Sequence, residues 1–161
     1  MTKKCQGLKF GFTAAATATT TQGGTDDERY SQMLADCKLG YDLGYDCAWV
    51  LEHHFTDYFP TPSPTVVMSH LAAAFPGLSL GSCVLVLPWY NPLRLAEEIS
   101  MLSHFCKGDL HLAFGRGTAK VEYDAYDIDM SSAKERFKEA IEIINHGLSG
   151  EPFQFEGKFY K

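Results

Sequence analysis

Apolar positions along the chain follow two alternating periods. Leu8-Lys9-Phe10-Gly11-Phe12 alternates every second residue and predicts a first strand. The Thr/Ala/Gly-rich stretch from Thr13 to Thr25 predicts a long loop. Asp26, Asp27 and Glu28 then suit a helix N-terminus, and Tyr30, Met33, Leu34 and Cys37 supply that helix's apolar face. Gly40 and Gly44 lead into a second strand, Tyr45 to Leu51. Ser63-Pro64 reads as an N-cap with proline at the first helical position, and Val67, His70, Leu71 and Ala74 share one face of the helix that follows. The nearly continuous apolar run from Leu78 to Leu87 predicts a strand buried on both sides. Asn91-Pro92 caps a third helix carrying Leu95, Ile99, Leu102 and Cys106. Leu110 to Phe114 is a fourth strand, followed by Gly115-Arg116-Gly117. Ser132 and Glu135 have the spacing of a capping box before a helix with Phe137, Ala140, Ile141 and Ile144 inward. Beyond Gly150 and Pro152, the aromatic run Phe153, Phe155, Phe159 and Tyr160 around Gly157 predicts a small hairpin over residues 151–161.

The strands begin near residues 8, 45, 78 and 110, each joined to the next by a helix, so they should lie parallel. No linker or low-complexity tract divides residues 1–161. Two architectures satisfy this pattern: half of a (β/α)8 barrel, or an open four-stranded sheet. The 161 residues cannot close a complete barrel, which needs about 250. The net charge of −6, without a dense basic stripe, argues against a nucleic-acid surface. Lys3-Lys4 followed by a polar segment is no secretory signal, and the apolar stretch Cys83 to Trp89 is far too short to span a bilayer. Five cysteines without C-x-x-C spacing fit reduced thiols in the cytoplasm.

Ligands of parallel α/β folds gather at the carboxyl ends of the strands. Those ends read Thr13 to Thr17, Glu52-His53-His54-Phe55, Pro88-Trp89-Tyr90-Asn91 and Gly115-Arg116-Gly117-Thr118. An arginine between glycines can grip a phosphate through its planar fork, or sit solvated on a tight turn. It is not G-x-G-x-x-G, because Lys120 occupies the last glycine position. Adjacent His53 and His54 should point to opposite sides, so one at most faces a pocket. That histidine can act as a general base or hydrogen-bond a reactive group. Glu52 and His54 could instead begin a metal site, although H-E-x-x-H and H-x-H are both absent, or simply tie the rim together. Phe55, Tyr58, Phe59, Trp89 and Tyr90 can stack on a planar ring or pack as ordinary loop aromatics. Cys83, mid-strand, reads as a small buried hydrophobe.

The same residues carry a resemblance. Trp49-Val50-Leu51-Glu52-His53-His54-Phe55 resembles the W-x-x-E-H-H-F segment of the bacterial luciferase-like, flavin-dependent monooxygenases. So do Leu80-Gly81 with Val86-Leu87-Pro88, Asn91-Pro92 leading to Ala96-Glu97-Glu98, and Phe114-Gly115-Arg116-Gly117, in the same order and spacing. The resemblance implies a (β/α)8 TIM-barrel type fold of which about the first four βα units are present. It implies reduced FMN, or in a sister branch a deazaflavin, at the carboxyl rim, and transfer of one oxygen atom from O2 to a small organic substrate such as an aldehyde through a flavin hydroperoxide. By resemblance His53 is the catalytic histidine, and Arg116 contacts the flavin phosphate. Glu52, Cys83, Val84, Gly117 and Thr118 fall among the cofactor-binding positions, with a non-prolyl cis peptide expected at Cys83-Val84. No metal is implied. Helices starting near Ser63 and Asn91 match those that pack across a homo- or heterodimer interface, where Glu97 or Glu98 would meet a partner residue. Gly115 stands where the light-emitting members have a reactive cysteine, so luminescence is not implied. Strands five to eight, which complete the flavin site in the family, have no counterpart here. Two other functions therefore stay open: a non-catalytic half-barrel that needs a partner, and a metal-dependent barrel hydrolase using Glu52 and His54.

Overall fold

A computed structural model describes residues 7–17 and 24–161; Lys3, Lys4, Cys5 and the middle of the Thr/Ala/Gly-rich loop lie outside them. Four strands, β1 (Gly11–Ala14), β2 (Cys47–Val50), β3 (Ser79–Val86) and β4 (Leu110–Gly115), form one sheet in the order β1-β2-β3-β4. Every neighbouring pair is parallel. The crossovers are α1 (Asp26–Asp42), α2 (Pro64–Ala74) and α3 (Pro92–Phe105), and β4 leads into a short α4 (Lys120–Ala125) and then α5 (Ala133–Leu148). This is an α/β unit of four βα repeats in sequence, the arrangement expected of part of a barrel, with the outer edges of β1 and β4 unpaired among the described residues. No helix among those residues is long and apolar enough to cross a membrane.

Helices cover one face of the sheet. Ala14, Ala48, Val50 and Leu80 pack with Met33 and Cys37 of α1 and with Met68 and Leu71 of α2. Further along, Leu85 and Leu87 join Leu95 and Ile99 of α3 and Ala140 and Ile144 of α5. Each fully buried Val, Leu, Ile or Met among them contributes about 1.5–3 kcal/mol, so these two clusters hold the unit together. The opposite face is built differently. Trp49 lies stacked on His111, ring centroids 5.8 Å apart, across the glycines Gly11 and Gly81 of the flanking strands. No helix among the described residues covers that face.

Several local expectations shift. The first strand starts at Gly11 and not at Leu8, because its partner begins only at Cys47; Leu8 and Phe10 are exposed. The inner face of α2 is Thr65, Met68, Leu71 and Ala72, leaving His70 and Ala74 outside. Ser63 makes no capping hydrogen bond to that helix, whereas Asn91 Oδ1 accepts from Arg94 N at 3.1 Å as expected.

The Ser132–Glu135 capping box is absent. Ser132 has helical backbone angles, so its hydroxyl donates back to Asp129 O, and Glu135 pairs with Lys158. A capping box forms instead at α1, where Thr25 Oγ1 accepts from Glu28 N and Glu28 Oε2 accepts from Thr25 N. Thr25→Ala should therefore cost about 1 kcal/mol in urea unfolding, and Ser132→Ala clearly less.

Residues 151–161 do not form the expected hairpin. The segment contains one turn, Gly157 N–H to Tyr160 O. Glu139 of α5 accepts from the backbone N–H groups of Lys158, Phe159 and Tyr160. A carboxylate satisfies the donors that a second strand would have taken. Burial pulls the Glu139 carboxyl upward, but those three donors together outweigh it and hold it below its ordinary range.

Candidate functional site

Carboxyl-terminal ends of β2, β3 and β4 converge on a cleft of about 320 Å³. His54 and the aromatics Phe55, Tyr58, Phe59, Trp89 and Tyr90 do not line it. The residues matched to the catalytic and cofactor positions do: Glu52 and His53 after β2, Cys83 and Val84 in β3, and Arg116, Gly117 and Thr118 after β4. Parallel pairing forces this, because it brings all strand ends to one rim.

The Cys83-Val84 peptide is cis, and the β3–β4 register shifts between Ser82 and Leu85. Cys83 is exposed, not buried as its mid-strand place suggests, because it lies on the part of the sheet that no helix covers. The backbone after β4 comes close to this strand. A Cβ on Gly115 would stand 2.5 Å from Val84 Cγ2. Gly117, at φ +73°, would bring one within 2.8 Å of Val86 Cγ1. The carbonyl of Arg116 accepts from the Tyr123 hydroxyl. Its exposed guanidinium makes no ion pair among the described residues.

His53 and His54 part as expected, although β2 has already ended at Val50, and only His53 lines the cleft. The His53 ring stacks on Phe59 at 5.6 Å and packs against Tyr58, while its backbone N–H donates to Thr61 O. His53 Nδ1 is 3.5 Å from Glu122 Oε1, buried and without a hydrogen-bond partner. The loop carrying Tyr58 and Phe59 is anchored to the first turns of α1. Arg29 Nη1 donates to Asp57 O at 2.7 Å, and the Tyr30 hydroxyl donates to Pro60 O.

His54 is buried. Its Nε2 lies 2.9 Å from Glu52 Oε1, its Nδ1 lies 2.8 Å from the Tyr126 hydroxyl, and its backbone N–H donates to Glu122 Oε1. Glu52 Oε2 accepts from Val86 N at 2.9 Å. Burial pushes the Glu52 carboxyl above its ordinary range, against the opposing pull of His54 and Val86. Tyr90, beside Glu52, is also driven up, first by burial and then by the carboxylate charge.

Glu122 and Tyr126 did not stand out in the sequence. The only signal is that Glu122, Tyr123 and Tyr126 share a helical face, in a helix too short to show periodicity. The aromatics expected to cluster do so in two groups. Tyr58 and Phe59 surround His53, whereas Trp89 packs with Tyr123 and Tyr126 beside His54. Among the described residues, no three His, Cys, Asp or Glu side chains are arranged to hold a metal ion.

The luciferase-like monooxygenase family model matches residues 8–161. Among curated relatives, an uncharacterized protein y4vJ of Sinorhizobium fredii (strain NBRC 101917 / NGR234) is 34% identical over 75% of this chain and 34% of its own length. An alkanal monooxygenase alpha chain of Photorhabdus luminescens is 28% identical over 70% of this chain and 31% of its own. The oxygenase component of a flavin-dependent trigonelline monooxygenase of Acinetobacter baylyi (strain ATCC 33305 / BD413 / ADP1) is 27% identical over 85% and 38%. The crystal structure of monooxygenase RslO1 from Streptomyces bottropensis superposes with a TM-score of 0.87 at 25% identity, covering 95% of this chain and 46% of that one. The oxygenating constituent of 3,6-diketocamphane monooxygenase from Pseudomonas putida, in complex with FMN, shares the fold with a TM-score of 0.86 at 19% identity, over 95% and 42%. The chain thus spans less than half the length of these proteins. With a family match running from residue 8 to residue 161, the chain belongs to the luciferase-like monooxygenase family.

Proposed function

We propose that the rim cleft binds reduced FMN, and that the whole protein is a flavin-dependent monooxygenase that passes one oxygen atom from O2 to a small organic substrate. The observation that carries this is Arg116. Its guanidinium, free of ion pairs among the described residues, stands at the mouth of a cleft whose glycines let the backbone come close. A planar, permanently charged fork suits a phosphate monoester, and the Gly117 and Thr118 backbone would border it. The exposed surface at Cys83 and Val84 offers a floor for a flat ring system.

Bound reduced flavin would supply the electrons that activate O2. His53 is poised to hold or hand over a proton beside it, since Nδ1 is buried and lacks a hydrogen-bond partner while Phe59 and Tyr58 fix the ring. Glu52 keeps His54 in place behind it. FMN over a deazaflavin is supported by the closer superposition on the FMN-bound fold neighbour, TM-score 0.86, against 0.65 for a coenzyme F420-dependent reductase. An aldehyde substrate is suggested by the alkanal monooxygenase relative.

Dimerisation would use the groove between α2 and α3, where Val66, Met101 and Phe105 are exposed. Glu98 lines that groove, where Arg94 and Thr65 of its own chain engage it, whereas the exposed Glu97 lies on the other side of α3, toward Gly147 of α5.

Quenching of flavin fluorescence on titration with FMN tests the binding claim. The wild-type chain should quench and saturate, and Arg116→Ala should bind about 10- to 100-fold more weakly, the loss expected for a charge-assisted phosphate contact. A chain that quenches nothing but pairs with a second copy or a partner would favour the half-barrel module instead, and a flavin-free strict monomer would count against both readings. The half-barrel reading draws on the unpaired outer edges of β1 and β4 and on the uncovered Trp49–His111 face.

A further inference from the structure

Tyr126, His54 and Glu52 are joined end to end. The Tyr126 hydroxyl meets His54 Nδ1 at 2.8 Å, and His54 Nε2 meets Glu52 Oε1 at 2.9 Å. Tyr126 reaches solvent with 37% exposure, the His54 side chain is 6% exposed and the Glu52 side chain 0%. Glu52 also lines the cleft. A continuous line of hydrogen bonds therefore runs from the molecular surface to a carboxyl at the candidate site. His53 takes no part in it; its nearest carboxylate is Glu122.

We propose that Tyr126 and His54 form a proton relay that loads and unloads the Glu52 carboxyl from solvent, with the tautomer of His54 recording which state Glu52 is in. In the unloaded form Glu52 is a carboxylate, His54 Nε2–H donates to Oε1, and the Tyr126 O–H donates to Nδ1. Loading begins when a solvent proton reaches the Tyr126 oxygen. The original Tyr126 proton moves to Nδ1, and the Nε2 proton moves to Glu52 Oε1. Tyr126 keeps the incoming proton and now accepts from Nδ1–H. One proton enters from solvent and one arrives at Glu52, while His54 stays neutral and changes tautomer.

The surroundings favour transfer over a static ion pair. His54 sits among Trp89, Phe55 and Tyr126, where a buried charge pair loses much of its hydration. Burial holds Glu52 above the ordinary carboxylate range, so it accepts a proton readily. The other charged or titratable groups near the relay are Tyr90 after β3, with Glu98 of α3 behind it, Arg116 after β4, and Glu122 of α4. Glu122 is engaged by the His54 backbone N–H and not by the ring. The relay rests on the geometry around Glu52 and holds whichever ligand the cleft takes.

Imidazole-nitrogen NMR of the full chain, from about pH 4 to about pH 9, tests it. The expected result is a His54 ring that carries a single proton through the change of state of Glu52. Its ring should be Nε2-protonated at the basic end and Nδ1-protonated once the Glu52 carboxyl carbon shift reports protonation, with both changes sharing one inflection. Glu52→Gln should abolish the coupled flip. Tyr126→Phe, a change near the surface, should keep the fold and slow exchange between the tautomers about tenfold or more, because it removes the route to solvent. A His54 that becomes doubly protonated beside an ionised Glu52, a His54 that keeps one tautomer while Glu52 titrates, or an exchange rate unchanged in Tyr126→Phe would each overturn the proposal. Flavin binding enters none of these readouts, so failure of the FMN titration leaves the relay test intact.

Discussion

Glu122→Ala should destabilise the protein by about 3 kcal/mol in urea unfolding. The side chain is only 3% exposed, and Oε1 accepts the backbone N–H of His54 at 3.0 Å while standing 3.5 Å from His53 Nδ1. Alanine would leave a buried N–H without an acceptor and open a void between α4 and the β2 end, and each defect carries its own penalty. Glu122→Gln retains a carbonyl oxygen for His54 and should cost about 1 kcal/mol. The two variants thus separate the hydrogen bond from the charge. If alanine and glutamine prove equally mild, the carboxylate does not position the histidine segment.

Gly81→Val is the second large effect, again about 3 kcal/mol, at the upper end of overpacking. A side chain at Gly81 would enter the space of the Trp49 ring, whose Cζ3 lies 2.5 Å from the Cβ position. Trp49 cannot easily yield. Its Nε1 side lies equally close to Gly11, and its ring stacks on His111. Displacing the indole would disturb β1, β2 and β4 together. Loss of stability with a fall in tryptophan fluorescence anisotropy is the expected signature. A fully stable Gly81→Val would show that the indole is not pinned to the sheet.

Much of the fold was written in periodicity. The runs feeding β2, β3 and β4, and the apolar faces of α1, α3 and α5, appear at the expected places because burial against one sheet imposes a repeat of two or of three to four residues. What escaped was tertiary in origin. Ser132 has the right neighbour for a capping box, but the preceding turn puts its backbone in the helical region; Thr25, unremarked in a polar stretch, makes the box instead. The aromatic tail resembles a hairpin, yet Glu139 takes its backbone donors. At the rim, Glu52, His53, Arg116, Gly117 and Thr118 meet at one cleft because parallel strands deliver their ends to one place, while His54 of the same motif is buried outside it. Glu122 and Tyr126 stayed hidden because their roles depend on meeting the β2 end across 68 and 72 residues of chain.

The central claim is that the cleft between the β2, β3 and β4 ends is a flavin site. Backbone amide NMR of the labelled chain, with reduced FMN added anaerobically to about 1 mM, tests it most directly. Saturable shifts are predicted at His53, Cys83, Val84, Arg116, Gly117 and Thr118, with the α2–α3 groove unchanged. Shifts centred on that groove, or none at the rim at this concentration, would contradict the account.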